Sequence, residues 1–331
     1  MRRLRMSGPG RRGPVMLDIP PPHLSTGGSS SLFRALVALC PGVDYDGLMG
    51  LTGMAFRLDV VQRLDPRAAE DRLLANLPAM LDGLGARVEV LRPGSAEELA
   101  GIVRESVAAG IPLPIRGWPE GGLDWALVVG HDDARGVLCG WPATWTGAAC
   151  AGAPPTGDAV LRMSEPCPPI SPAEHWREAI GAAAGGEQAL KAAYAQWSEQ
   201  LSSLPLDAGD ESWSLAQNHA AVAETLADAR TSAAAFLSRC ADLSDPTAAE
   251  WLEQARYAYE ELADVVDAAP GLDRESVDRS IDAAYRDRWL EALARAEHLD
   301  CRAIGCLRRA LTSTLSPSEI ADEPENPANW T

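Results

Sequence analysis

The sequence predicts an α+β protein in two parts, a mixed α/β first half followed by an all-helical second half. Three observations carry this. Before about residue 165, short apolar runs mix with Gly and Pro; after it, long Ala-rich stretches repeat at helical spacing. The charge changes at the same place: residues 1–160 carry 15 Arg against 17 acids, the remainder 14 basic against 30 acidic residues. Between the two, Gly147 to Pro172 gathers Pro154, Pro155, Pro166, Pro168, Pro169 and Pro172, which makes a natural linker zone.

In chain order, residues 1–16 are expected to form a disordered basic arm. Arg2, Arg3, Arg5, Arg11 and Arg12 stand there among Gly and Pro with no apolar periodicity to pack. Leu32, Phe33, Leu36, Val37 and Leu39 share one helical face, and Pro41-Gly42 stops that helix. A short helix through Leu48 and a turn at Gly53 lead to Ala55–Leu58, read as a strand. Leu73–Leu84 is amphipathic, Arg87–Leu91 alternates as a strand does, and Glu97–Ala109 is a helix with Gly110 as its C-cap. Strands are expected at Ile111–Arg116, Trp125–His131 and Val137–Trp141, the last two joined by a turn at Asp132–Gly136, and again at Val160–Met163.

Ser171-Pro172-Ala173-Glu174 reads as a capping box with Pro at the first helical position. Helices follow over 172–184, 187–203, 212–243, 247–268 and 274–313; heptads are not sustained, so they should pack as a bundle. The acidic, Pro-bearing end is expected to be a disordered tail. The division is then 1–16, 17–165, 166–315 and 316–331.

Composition excludes several functions. A net charge of −18 is wrong for a phosphate-binding face, so no nucleic acid is expected. No apolar run approaches the ~18–20 residues of a spanning helix, so no membrane is expected either. The basic start lacks the apolar core of a secretory signal, and a cytoplasmic location follows as an expectation. Seven cysteines (40, 139, 150, 167, 240, 301, 306) include no C-x-x-C pair, so reduced thiols, no metal site and no cofactor are expected. Of 29 basic residues only Lys191 is a lysine, which reads as GC-rich bacterial codon usage.

Two segments, SSSLFRALVALCPGVDYDGLMGLTGMAFRLD and GIPLPIRGWPEGGLDWALVVGHDDARGVLCGWP, carry a resemblance. They resemble the N-terminal domain of the butirosin biosynthesis protein H-like family, and through it the C39-type branch of papain-like cysteine peptidases. EQALKAAYAQWSEQL and RWLEALARAEHLDCRAI are similar to the helical extension of bacterial relatives of that family. The resemblance spans roughly residues 25–315 and implies a papain-like (C39-type) domain over 17–165, followed by an all-α domain.

It also implies where catalytic groups would stand, and all three positions are changed. Ser30 or Ser31 occupies the start of the first helix, where a cysteine would gain thiolate character from the helix N-terminus. Asp124 stands where the base His belongs, and Gly140-Trp141 where the orienting Asp or Asn belongs. A serine hydroxyl needs an adjacent base to lose its proton, and no His matches. The plainer reading of Ser29, Ser30 and Ser31 is an N-cap. Cys40 reads as a small core residue and Asp124 as a turn residue. His131 with Asp132 and Asp133 is a weak metal set, because successive strand residues face opposite ways. Trp118, Trp125, Trp141 and Trp145 would suit an aromatic cleft, although packing of the sheet against its helices is the favoured reading. Trp176, Trp197, Trp213, Trp251 and Trp289 read as bundle core.

The first functional expectation is therefore a papain-like protein of pseudoenzyme type, serving bacterial specialised metabolism. It would bind a small ligand or protein partner near Ser30, Ser31, Asp124 and Trp141, with Trp118, Trp125 and His131 as ligand-binding candidates. The second, implied by the resemblance, is an acyltransferase moving an aminoacyl group from an acyl carrier protein thioester to an amine. The third is an interaction protein using the acidic helical half.

Overall fold

The computed structural model describes residues 3–5, 14–17, 28–119, 121–142, 150–153, 159–203, 210–269 and 283–313. The chain is mixed α/β. Its sheet comprises β1 (Arg3–Arg5), β2 (Val15–Leu17), β3 (Val88–Leu91), β4 (Leu113–Arg116), β5 (Trp125–Asp132), β6 (Val137–Trp141), β7 (Cys150–Gly152) and β8 (Val160–Met163). The order is β1-β2-β5-β4-β8-β3, with β6 branching from β5 and β7 from β6, and every ladder is antiparallel. The helices are α1 (Gly28–Val37), α2 (Tyr45–Leu51), α3 (Pro66–Asp82), α4 (Ala96–Ala109), α5 (Pro172–Gly185), α6 (Glu187–Ser202), α7 (Asp210–Asp242), α8 (Pro246–Asp267) and α9 (Ala283–Ser313).

Strand β5 holds the sheet together. Trp125 to Gly130 are all buried, and α1 and α4 both pack against the strand, which explains a nearly unbroken apolar run. Its hairpin to β6 turns on Asp132, whose side chain accepts from the backbone N–H of Ala134 at 3.1 Å. Gly136 supplies the positive φ of 63° that the turn requires. Helix starts follow their caps: Asp65 accepts from Arg67 N–H at 2.9 Å ahead of Pro66, and Ser95 from Glu98 N–H at 3.1 Å. Gly110 closes α4 at φ 83°.

The structure departs from the sequence reading in several places. Residues 3–5, 15 and 16, assigned to a disordered arm, form β1 and, with Leu17, β2, and β2 pairs Val15 with His131 and Met16 with Gly130 on β5. A Val-Met-Leu triplet is too short to show periodicity, but Leu17 is buried and the free edge of β5 satisfies its backbone. Ala55–Leu58 is not a strand: Gly53 at φ 74° opens a single 3₁₀ turn over Met54–Phe56, whose neighbouring carbonyls are taken by a side chain of α7. Helix α3 begins at Pro66, seven residues before the expected Leu73. Ser171 starts α5 with no side-chain cap bond, so Glu174 and Ser171 do not form a capping box. The tail 316–331, Trp145 and residues 274–282 lie outside the described residues, as do the side chains of Ser29 and Trp213.

Among the described residues, 187 to 313 contains helices and their short connections and no strand. The two halves nevertheless share one core. Leu32, Leu36, Leu48, Phe56 and Leu77 pack in the same cluster as Phe236, Leu252, Tyr259 and Leu307. The fit is close at α2 and α7, where a β-carbon on Gly50 would lie 2.2 Å from Phe236 Cγ. The Pro-rich zone marks a change of texture in the chain, and the core runs across it.

Candidate functional site

The first turn of α1 presents two hydroxyls in different directions. Ser31 is fully buried and its Oγ accepts from the backbone N–H of Trp125 at 2.9 Å, joining α1 to the start of β5. Ser30 Oγ donates to Asp228 Oδ2 of α7 at 2.7 Å. These bonds run to distant segments, where an N-cap would have bonded the helix's own amides.

Beside Ser30 lies a cleft of about 310 Å³ between the two halves of the chain. Met49, Met54 and Leu73 give it an apolar floor, Leu123 one edge, and Ala221 to Ala229 of α7 the opposite wall. Asp59, Glu70, Glu224 and Asp228 contribute carboxylates to the lining and Arg57 one guanidinium. Among the described residues no histidine lines it.

Asp228 is held by three groups. Its Oδ2 also accepts from the Tyr45 hydroxyl, and Arg34 Nη2 stands 3.8 Å from Oδ1. The Arg34 guanidinium in turn lies 4.0 Å above the Tyr45 ring. Burial, with the Asp228 charge beside it, pushes the Tyr45 phenol above its usual range, so the phenol stays protonated and donates. Glu70 forms the second anchored carboxylate. It accepts from Trp125 Nε1 at 2.5 Å and from the buried Arg116 Nη1 at 3.1 Å, while Arg116 also reaches Asp71 at 3.0 Å. Burial pushes the Glu70 carboxyl up, against the downward pull of Trp125 and Arg116.

The sequence-derived candidates divide accordingly. Ser30 lines the cleft; Ser31 and Asp124 sit one residue behind the lining, meeting where Ser31 binds the peptide that follows Asp124. The Asp124 carbonyl accepts from Gly117 N–H at 2.8 Å, which brings Trp118 to the same end of the sheet. Trp118, Trp125 and Trp141 are buried, with Trp141 opposite Leu127 across the β5–β6 ladder. His131 lies six residues along β5 from Trp125, about 20 Å away at strand rise. There its Nδ1 is 3.3 Å from Asp133 Oδ1. No metal-binding group of three or more His, Cys, Asp or Glu occurs among the described residues.

Sequence reasoning missed Tyr45, Glu70 and Asp228. A signal existed for Glu70, which falls on the buried stripe Glu70, Leu74, Leu77 and Leu81 of α3. Asp228 carried none, since its partner Ser30 is 198 residues distant. Compared with protein-family models, curated proteins and solved structures, the chain matches none.

Proposed function

We propose that this chain is a papain-like protein without peptidase chemistry, and that it binds a small molecule in the cleft between α1 and α7. The observation that carries the reading is the fate of Ser30 and Ser31. Both hydroxyls at the position of a papain-type nucleophile are engaged, one by a carboxylate and one by a backbone amide, and among the described residues no histidine lines the cleft beside them. As a class, carboxylates are far less basic than imidazole and are weak acceptors for a hydroxyl proton near neutral pH. The packing of α1 on an antiparallel sheet, with its first turn at the start of β5, supports the papain-like reading. A cleft of about 310 Å³ with an apolar floor and several carboxylates fits a compact ligand with an apolar body and an amine or other donor group.

The test joins two measurements. Ser31 should not be labelled by serine-directed fluorophosphonates, and no peptide should be cleaved. In a thermal-shift panel, primary amines with a small apolar body should raise the unfolding midpoint by several degrees, where matched carboxylic acids do not. The shift should vanish in Val222→Trp, which fills the cleft. Cleavage lost in Ser31→Ala would overturn the first part, and an unchanged amine shift in Val222→Trp the second.

A further inference from the structure

Cys40 and Cys167 meet where the end of α1 touches the segment leading from β8 to α5. The two segments are tied by their backbones: Ile170 N–H donates to Pro41 O at 2.9 Å, and a β-carbon on Gly42 would lie 2.7 Å from Ile170 O. Cys40 and Cys167 are both free and both buried in the same core cluster, and Cys167 lines a cleft together with Leu39 and Pro41, the two residues flanking Cys40. Cys167 Sγ also approaches Pro168 O at 3.2 Å. Cys167, unlike Cys40, borders a surface cleft of about 510 Å³, beside Leu39, Pro41, Ile111 and Pro166. The cleft therefore offers a small oxidant a route to Cys167 and no direct route to Cys40.

We propose that Cys40 and Cys167 are a redox-responsive pair, converted to a disulfide by hydrogen peroxide that enters through this cleft. Cys167 is the attacking sulfur. Its thiolate forms an S–O bond as the peroxide O–O bond breaks, and the hydroxide released takes a proton to leave as water. The Cys40 sulfur then attacks the sulfenic acid, forming the S–S bond and breaking S–O; the departing hydroxide takes the Cys40 proton and leaves as a second water. The pair loses two electrons and the peroxide gains two.

The electrostatics divide the roles the same way. The neighbouring Cys40 thiol lowers the Cys167 thiol from its ordinary value, whereas Cys167 and burial push Cys40 up. Burial pushes Cys301 and Cys306 up, and Cys240 to about 12. The product would lock the C-terminal end of the helix whose first turn carries Ser30 and Ser31 to the segment entering α5.

The test treats the folded full-length protein with hydrogen peroxide, quenches with an alkylating agent and maps peptides without reduction. A peptide pair linked through Cys40 and Cys167 is expected, together with a raised unfolding midpoint that dithiothreitol reverses. In Cys40→Ser, dimedone should trap a sulfenic acid at Cys167; in Cys167→Ser, Cys40 should stay unmodified. Absence of the linked pair in the wild type, or a Cys167 that passes to sulfinic acid with Cys40 intact, would overturn the proposal. Neither wild-type outcome depends on how well the variants fold.

Discussion

Replacing Arg230 by methionine should cost about 3–5 kcal/mol of folding stability, read as a fall in the urea midpoint. Arg230 is fully buried in α7 and forms a two-pronged pair with Asp300 of α9, Nε to Oδ1 and Nη2 to Oδ2, both at 2.8 Å. Its Nη1 donates to the carbonyls of Ala55 at 2.8 Å and Arg57 at 3.0 Å, and Tyr194 OH donates to Asp300 Oδ2 at 2.7 Å. Removing the guanidinium strands a buried carboxylate and two carbonyls at once. Many buried ion pairs can be exchanged for apolar residues at little loss, but here the double change Arg230→Met with Asp300→Leu should recover only part of it. The Ala55 and Arg57 carbonyls and the Tyr194 hydroxyl stay unsatisfied in the double variant. Because Met54, Arg57 and Asp59 line the cleft, both variants should also weaken ligand binding. A loss below about 1 kcal/mol for Arg230→Met would show the pair to be dispensable.

The second large effect is on acid stability. His219 is fully buried; its Nδ1 accepts from Trp197 Nε1 at 2.9 Å and its ring lies 4.3 Å from that of Trp289 at 86°. Burial lowers its pKa from 6.5 to about 4. Between those pH values the unfolded chain binds a proton that the folded chain does not. The folded state therefore keeps its full advantage above about pH 6.5 and loses it progressively as pH falls toward 4. The loss from this residue is about 3 kcal/mol. Shifted carboxylates add their own pH dependence, so the quantity to measure is the wild-type profile minus that of His219→Gln. The difference should slope between pH 6.5 and 4 and be flat above. A difference profile without slope would mean that His219 takes up its proton in the folded protein as readily as in the unfolded chain.

These residues also show what the sequence made legible. The long helices were readable because apolar residues recur at helical spacing, as at Ala216, Ala223, Leu226, Ala233 and Leu237 of α7. His219 and Arg230 fall on that same stripe, and Asp300 falls on the stripe of Leu293, Ala296, Ala303 and Leu307 in α9. A polar residue on an apolar stripe was a visible sign of a buried partner, though its identity was not visible. The Trp125–Trp141 hairpin was readable from its turn and its apolar runs. β2 was not, since three residues show no period, and Ala55–Leu58 misled because its carbonyls bond the distant Arg230. Ser30 could be singled out from its place before an apolar helical face. The wall opposite it could not, because that wall comes from α7, nearly two hundred residues on.

The most direct measurement is amide hydrogen exchange of the whole protein, with and without the amine that gives the largest thermal shift. A ligand in the cleft between α1 and α7 should slow exchange at residues 54–59, 69–73 and 221–229. The β5–β6 turn near His131 should be unaffected. Protection centred on His131 with none in 221–229 would place the ligand elsewhere and contradict the account.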